Sequence, residues 1–178
     1  MPPPIPKSLA AKLARVRILL CDVDGVLTNA TVWIGDGREF KEFHIQDGLG
    51  LRLLQASGIK VGWVSNRPST ATQQRADELK IDFLHQDKGG KVEAVEAILT
   101  RVNLAWDEVC YMGDDVVDLG ALKRAGTAIA VANAIAEVKD LADYVTAAEG
   151  GRGAVREVTG LILRAQNKWR RLVSQFSA

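Results

Sequence analysis

Short apolar runs alternate with helical patterns along most of the chain. Strand-length apolar runs lie at 15–21, 59–65, 81–85, 107–113, 127–132 and 142–146. Helical spacing of apolar residues is found at 48–57, 68–80, 91–102, 116–125, 134–141 and 160–176. Strands that alternate with helices form right-handed βαβ units. The pattern therefore predicts an α/β fold with three layers: a Rossmann-like, mostly parallel sheet with helices on both faces.

One segment, at about 28–43, breaks this rhythm. Two short β-prone runs flank Gly35-Asp36-Gly37, and Asp-Gly between such runs is typical of a tight hairpin turn. We expect a small β-hairpin flap that projects from the sheet after the first strand. Its apolar residues Val32, Trp33 and Ile34 favour a role as an interface, although a hairpin packed on its own sheet is the alternative.

Composition and net charge mainly exclude classes of protein. A chain of 178 residues suits one domain, which we expect over 15–178 after a lead-in at 1–14, where Pro2, Pro3, Pro4 and Pro6 favour extended backbone. With 23 Lys and Arg against 22 Asp and Glu, the net charge of +1 provides no field that would attract nucleic acid or a membrane surface. No secretory leader is recognised, and no apolar run reaches the roughly 20 residues that a membrane span needs. The two cysteines, Cys21 and Cys110, lie inside apolar runs and are expected to be buried, reduced thiols, so we expect a cytoplasmic protein.

Four predicted strands end in residues that carry chemistry. Because ligands of parallel sheets bind outside the carboxyl ends of the strands, these four sets should meet at one edge. The sets are Asp22 with Asp24, Ser65, Lys91, and Asp114 with Asp115 and Asp118.

The residue types in these sets indicate phosphoryl transfer. Two neighbouring carboxylates repel each other unless they share a cation or a proton, and acidic turns of this kind offer the oxygen ligands that Mg²⁺ takes. Ser65 precedes a helix N-terminus, where anions bind, although a helix-capping serine explains it equally well. Lys91 is the first residue of a predicted helix, where a positive charge is unfavourable because of the helix dipole. Its position therefore indicates a role other than helix stability, and Lys88 is the alternative candidate for that role. Together they predict a Mg²⁺-assisted site with an aspartate nucleophile.

The segments DVDGVLT, SNR, Lys91 and GDDVVD, in this order, resemble the haloacid dehalogenase-type phosphohydrolase superfamily. The segments FHIQDGLGLRLL, ADYVT and GGRGAVREV resemble more closely the small 3-deoxy-D-manno-octulosonate 8-phosphate phosphatases, over roughly residues 15–166. The resemblance implies Mg²⁺-dependent hydrolysis of this sugar-acid phosphate through an aspartyl-phosphate, in lipopolysaccharide precursor synthesis. The rivals are phosphatases of a nine-carbon 9-phosphate, a non-catalytic oligomerisation module, and receiver domains, which lack an acid at the position of Asp24.

The same resemblance implies a role for each position. Asp22 would be the nucleophile, Asp24 the general acid and then base, and Ser65 and Lys91 would contact the phosphoryl group. The metal ligands would be Asp22, the backbone carbonyl of Asp24, and Asp114, with Asp115 and Asp118 in support. The substrate contacts would be Asp24, His44, Ile45, Gln46, Asp47, Gly48, Arg52, Arg67, Arg75 and Lys91.

Two positions depart from the family pattern: Asn66 stands where glycine is usual, and Gln46 where relatives often carry a basic residue. The stretch between Arg67 and Lys91 is too short to hold a cap domain. The resemblance accordingly implies a homotetramer that is built through the hairpins and places a neighbour's C-terminal segment near each active site.

Overall fold

The computed structural model describes residues 6–176 and has a parallel sheet at its centre. The strands in chain order are β1 (Ile18–Cys21), β2 (Trp33–Gly35), β3 (Arg38–Phe40), β4 (Lys60–Ser65), β5 (Phe83–Gln86), β6 (Val109–Gly113), β7 (Thr127–Ala130) and β8 (Tyr144–Val145). Six of them form one sheet in the order β5-β4-β1-β6-β7-β8, and β2 and β3 form a separate antiparallel pair. Every pairing in the large sheet is parallel. The predicted α/β fold and its hairpin are confirmed.

The helices form two layers around this sheet. They are α1 (Lys7–Arg15), α2 (Ile45–Ala56), α3 (Thr70–Leu79), α4 (Lys91–Val102), α5 (Leu119–Arg124), α6 (Ala136–Leu141), α7 (Ala154–Ala165) and α8 (Trp169–Ser174). On one face α2 packs on α7 and α7 on α1, and on the other α4 packs on α5 and α5 on α6. No helix among residues 6–176 has both the length and the apolar character to cross a membrane.

The central strand β1 sets the position of the candidate site. All four of its residues are buried, as expected for a strand covered by helices on both faces. Cys21 at its end pairs with Trp63 of β4 on one side and with Met112 of β6 on the other. The residues that directly follow β1, β4 and β6 therefore lie side by side at one edge.

The hairpin has a two-residue turn at Asp36 and Gly37, with φ of 50° and 69°. Positive φ at both residues is the geometry of the turn that matches the twist of paired strands, and it favours Asp-Gly. Trp33 and Ile34 are 66% and 79% exposed. The hairpin thus stands off the sheet, and the alternative in which it packs on its own sheet is wrong.

The expected lead-in at 1–14 needs correction, because α1 occupies most of it. Leu9 and Leu13, one helical turn apart, are buried in the core, and α1 packs on α7. Pro6 precedes the helix, a position where its fixed φ is compatible with the helix start. The extended backbone expected at Pro2, Pro3 and Pro4 lies outside the described residues.

The predicted helix at 160–176 is also wrong in its bounds, because two helices cover this region. The first, α7, begins six residues earlier, at Ala154, and α8 follows after a break. Asn167 adopts φ of 58° in this break. Such a left-handed conformation ends a helix, and asparagine tolerates it better than most residues.

Candidate active site

Three charged side chains from different elements meet at the carboxyl edge of the sheet. Lys91 Nζ lies 2.7 Å from Asp22 Oδ1 and 2.7 Å from Asp118 Oδ1. All three residues are less than 10% exposed. Burial by itself lowers the pKa of Lys91, but the two carboxylates outweigh burial and the pKa is raised. The lysine is therefore a fixed positive charge beside the predicted nucleophile.

The chain directly after β1 is shaped to bring Asp22 and Asp114 together. The backbone N–H of Asp22 donates to the carbonyl of Met112 at 3.0 Å, which extends the contact with β6 beyond β1. The turn continues through Gly25, whose φ is +107°. A Cβ at Gly25 would lie 2.0 Å from Asp114 Oδ2. Only glycine therefore lets the Asp114 carboxylate approach this closely.

Asp118 supports the site rather than opening into it. Its Oδ1 accepts hydrogen bonds from Lys91 Nζ at 2.7 Å and from the hydroxyl of Tyr111 at 2.9 Å. Its Oδ2 accepts one from the backbone N–H of Asp114 at 3.0 Å. Both oxygens have protein partners, so Asp118 holds the lysine and the loop after β6 in place.

Asp115, the other predicted supporting acid, lies outside this cluster. It is exposed, and its side chain accepts a hydrogen bond from the backbone N–H of Val116 at 2.7 Å. It caps the short helical turn that follows β6. Asp115 therefore has a local role in this turn, because its side chain points in a different direction from that of the adjacent Asp114.

The donor set at this edge fits a hard divalent cation. Carboxylate oxygens of Asp22, Asp114 and Asp118 all lie within 4.8 Å of one another. Asp114 Oδ1 is buried without a hydrogen-bond partner among the described residues. Burial and then repulsion from Asp118 raise the pKa of Asp22, whereas burial and then repulsion from Asp22 raise that of Asp114. Carboxylates crowded in this way need a shared cation or proton, and Mg²⁺ takes oxygen ligands of this kind.

Ser65 lies at the end of β4, next to β1, and is 2% exposed. Its Oγ accepts a hydrogen bond from the backbone N–H of Arg67 at 3.1 Å and donates to the carbonyl of the same residue at 3.2 Å. The alternative reading of Ser65 as a helix cap is wrong, because Ser69 is the cap of α3 and accepts from the N–H of Thr72 at 3.2 Å. Ser65 instead closes the loop that leads from β4 to α3.

Asp24 has a partner that the sequence analysis did not single out. Lys41 Nζ lies 2.7 Å from Asp24 Oδ1 and donates a hydrogen bond to Thr72 Oγ1 at 3.1 Å. The Lys41 side chain is completely buried. A single lysine after an exposed hairpin is typical of a surface position, and its burial follows only from the way the hairpin lies against α3.

A groove of about 860 Å³ runs between this hairpin and the start of α3. Of the predicted sugar contacts, Arg75 lines it, and Arg67 is ion-paired with Glu39 in its wall. Other residues of the wall are Lys41, Phe43, Ser69 and Glu78. The groove therefore combines cationic, anionic and apolar side chains. Asp24 does not line it but contacts Lys41 of its wall, and in this sense the groove lies beside Asp24.

The residues of the predicted substrate stretch at 44–48 point in different directions, because most of them belong to α2. This helix begins at Ile45, three residues before the start of the predicted helix. Ile45 is 74% exposed, and Gln46 faces a separate groove of about 630 Å³ beside Trp169. Asp47 is buried and accepts a hydrogen bond from the backbone N–H of Arg156 at 2.6 Å, within the first turn of α7. These three residues do not join the groove beside Asp24, because a helix directs successive side chains to different sides.

His44 and Gly48 lie nearer to it. Both line a small internal space together with Arg75. A Cβ at Gly48 would lie 2.6 Å from Arg75 Nη2, so this glycine gives the arginine room to pass.

Arg52 lines neither the groove nor the small internal space in this structure, and its predicted substrate contact stays a prediction. It donates a hydrogen bond to the carbonyl of Leu79 at 3.1 Å, at the last residue of α3. The side chain of Leu79 lines the same small internal space as His44, Gly48 and Arg75. In this chain Arg52 therefore stabilises the end of α3.

Comparison with known proteins decides the family. A model of haloacid dehalogenase-like hydrolases matches residues 83–157. The 3-deoxy-D-manno-octulosonate 8-phosphate phosphatase of Yersinia pestis is 38% identical over 93% of this chain and 89% of its own length. The enzyme of the same name from Escherichia coli K12 is also 38% identical, over 93% of this chain and 88% of its own.

The chain belongs to the 3-deoxy-D-manno-octulosonate 8-phosphate phosphatase family.

Solved structures of family members agree with this assignment. The phosphatase of Moraxella catarrhalis, in complex with a magnesium ion, a phosphate ion and a KDO molecule, superposes with a TM-score of 0.92 at 35% identity, covering 95% of this chain and 98% of its own. A cobalt-bound form of the Haemophilus influenzae phosphatase gives a TM-score of 0.85 at 37% identity, covering 88% of this chain and 92% of its own. These two phosphatases thus share the fold of this chain, and each has a divalent metal bound.

Proposed function

We propose that this chain hydrolyses 3-deoxy-D-manno-octulosonate 8-phosphate to the free sugar acid and phosphate with Mg²⁺ as cofactor. The observation that carries the proposal is the buried Asp22 carboxylate, held by Lys91 and lying beside Asp114 at the carboxyl edge of the sheet. A receiver domain needs no acid two residues after its phosphorylated aspartate, whereas this chain has Asp24 there. The filled catalytic positions also argue against a non-catalytic oligomerisation module.

The proposed reaction has two steps, each with a group in reach of the same edge. An oxygen of Asp22 attacks phosphorus, the bond between phosphorus and the sugar oxygen breaks, and Asp24 donates a proton to that oxygen. Asp24, now a carboxylate, then accepts a proton from water as the water attacks the phosphorus of the aspartyl-phosphate. Phosphate leaves, and the free Asp22 carboxylate and protonated Asp24 are restored.

The remaining side chains of the site stabilise charge. Lys91 lies 2.7 Å from Asp22, where negative charge gathers on the phosphoryl oxygens. The buried hydroxyl of Ser65 is the proposed donor to the phosphoryl group. Asp22, Asp114 and the backbone carbonyl of Asp24 are the proposed ligands of Mg²⁺, which when bound would neutralise part of the phosphate charge.

The groove beside Asp24 is the proposed site for the sugar acid. Arg75 and Arg67 lie in or beside its walls and provide the positive charge that a carboxylate at the far end of the substrate needs. Glu39 neutralises part of the charge of Arg67. In this proposal the groove, rather than the acidic cluster, selects the sugar.

The hairpins are the proposed contacts of a homotetramer. On the two short strands of each hairpin, Trp33, Ile34 and Phe40 are 66%, 79% and 57% exposed. Apolar residues grouped at one surface mark an interaction site. We place the assembled enzyme in the cytoplasm, where it would serve lipopolysaccharide precursor synthesis.

A phosphate-release assay over a panel of sugar-acid phosphates, with and without Mg²⁺, tests the function. We expect the highest kcat/KM on the eight-carbon 8-phosphate and activity only with the metal. A higher kcat/KM on the nine-carbon 9-phosphate would assign the chain to the rival substrate. No release from any sugar-acid phosphate would contradict the enzyme function itself.

A further inference from the structure

Lys41 is a buried lysine that the reaction described above leaves unused. Its side chain is completely buried, and its ammonium group lies 2.7 Å from Asp24 Oδ1 and 3.9 Å from Glu39 Oε1. A buried charge is costly unless it is paired and hydrogen-bonded. Here the pairing involves one carboxylate of the active-site loop and one of the hairpin, so Lys41 joins these two parts of the molecule.

The ion pair fixes one side of the Asp24 carboxyl group. Oδ1 is buried against the lysine, whereas the Asp24 side chain as a whole is 23% exposed. The rest of the group therefore faces the open edge. The last torsion of an aspartate side chain is broad and only weakly restricted by itself. A fixed cation on Oδ1 therefore determines where Oδ2 points, and Oδ2 is the oxygen that carries the proton when Asp24 acts as the acid.

Lys41 is itself held from two directions. Thr72, in the first turn of α3, accepts a hydrogen bond from its ammonium group at 3.1 Å. Glu39 accepts a hydrogen bond from Ser69 Oγ at 2.5 Å and is ion-paired with Arg67. The hairpin is thus attached to the loop between β4 and α3, and its lysine cannot move without breaking these contacts.

We propose that Lys41 is a positioning residue that orients Asp24 for proton transfer to and from the sugar oxygen and water. The inference rests on the proposed function, since it assigns a partner to the general acid. Proton transfer needs its groups within hydrogen-bond reach, and displacement by about 1 Å can cost about 100-fold in rate. Through this lysine, the hairpin that bears the proposed subunit contact also sets the geometry of catalysis.

A double-mutant cycle between Lys41→Met and Asp24→Asn tests the proposal. Lys41→Met keeps the length of the side chain and should lower kcat on the sugar-acid phosphate about 10- to 100-fold with little change in KM. In the Asp24→Asn background the same change should have no further effect, because a residue that acts through another loses its influence with that partner. Lys60→Met is the matched control: Lys60 also pairs with an aspartate, Asp82 at 2.9 Å, but at the start of β4.

A second measurement uses p-nitrophenyl phosphate, whose leaving group needs no proton. Lys41→Met should still release nitrophenol in a rapid burst, because formation of the aspartyl-phosphate proceeds without the acid, and then turn over slowly. If Lys41→Met does not fold, Lys41→Arg enters the same cycle, since its bulkier head displaces the carboxylate while it keeps the charge. Melting temperatures identify folded variants.

The outcomes separate the proposal from its rivals. Equal losses from the lysine change with and without Asp24, or a raised KM at unchanged kcat, would mean that Lys41 contacts the substrate directly and would overturn the proposal. Unchanged kcat in a folded Lys41→Met variant would overturn it as well. An Asp24→Asn variant with normal turnover would instead show that the proposed general acid is wrong, whatever Lys41 does.

Discussion

The acidic cluster and the hairpin meet at one edge of the sheet but are held there in different ways. Asp22, Lys91 and Asp118 are buried, and each contacts a residue from another element. The hairpin has two strands of three residues, exposes its apolar side chains and is attached mainly through Glu39 and Lys41. The sheet therefore fixes the positions of the charged side chains of the acidic cluster. The position of the hairpin, in contrast, depends on a few polar contacts and on what covers its apolar face.

The largest effect should come from the nucleophile. Asp22→Asn should abolish phosphate release, because an amide does not attack phosphorus, while Lys91 keeps Asp118 as a partner and the fold persists. A phosphate-release assay measures the loss of activity, and thermal melting of the same preparation shows whether the fold is retained. Asp107→Asn is a suitable control, since Asp107 is exposed and paired with Arg15 at the opposite edge. Near-normal release from folded Asp22→Asn protein would contradict the mechanism.

Removal of the metal should have a similar effect that is reversible. We expect a chelator to abolish activity and added Mg²⁺ to restore it, because the crowded carboxylates otherwise keep their mutual repulsion. Asp114→Ala should stay inactive at Mg²⁺ concentrations that saturate the wild type. Full activity of the chelator-treated wild type would rule out the metal requirement.

The difference between the two regions also explains what the sequence could predict. Asp22, Ser65 and Asp114 each follow an apolar run, and a parallel sheet brings the ends of its strands to one edge. Their meeting could therefore be expected from the order of runs alone. Lys41 follows an exposed hairpin, and its burial depends on tertiary packing against α3 that no local pattern encodes.

The errors have equally local causes. The prolines of the N-terminus favour extended backbone, whereas the helical spacing of Leu9 and Leu13 favours the helix that forms. The apolar spacing of the last helix continues across Asn167, whose left-handed backbone leaves no trace in a hydropathy pattern. The resemblance places Arg52 among the substrate contacts, whereas only the structure shows its hydrogen bond to the carbonyl of Leu79.

A change in the hairpin should affect assembly more than chemistry. Trp33→Asp with Ile34→Asp would place charges in the proposed subunit contact, where an unpaired buried charge costs several kcal/mol, on the order of 3–5. Light scattering should show a smaller species, with a greater loss of activity on the sugar-acid phosphate than on p-nitrophenyl phosphate. Leu141→Asp with Val145→Asp, at partly exposed positions on and near the edge strand β8, is the matched control. A wild type that is monomeric yet fully active would contradict this prediction.

The smallest effect concerns the stability of the metal-free cluster as a function of pH. Burial and mutual repulsion raise the pKa values of Asp22 and Asp114 above those of the unfolded chain. The folded protein then binds more protons than the unfolded one, so its stability should fall as the pH rises through the raised pKa values and recover in mildly acidic buffer. Because about 1 kcal/mol moves Tm by roughly 2–4 °C in a domain of this size, calorimetry can measure the change.

Saturating Mg²⁺, which needs the carboxylates deprotonated, should oppose this trend by binding more tightly as the pH rises. Asp114→Asn should weaken the pH dependence, and a metal-free wild type that becomes more stable toward alkaline pH would show that the cluster is not strained by its charges.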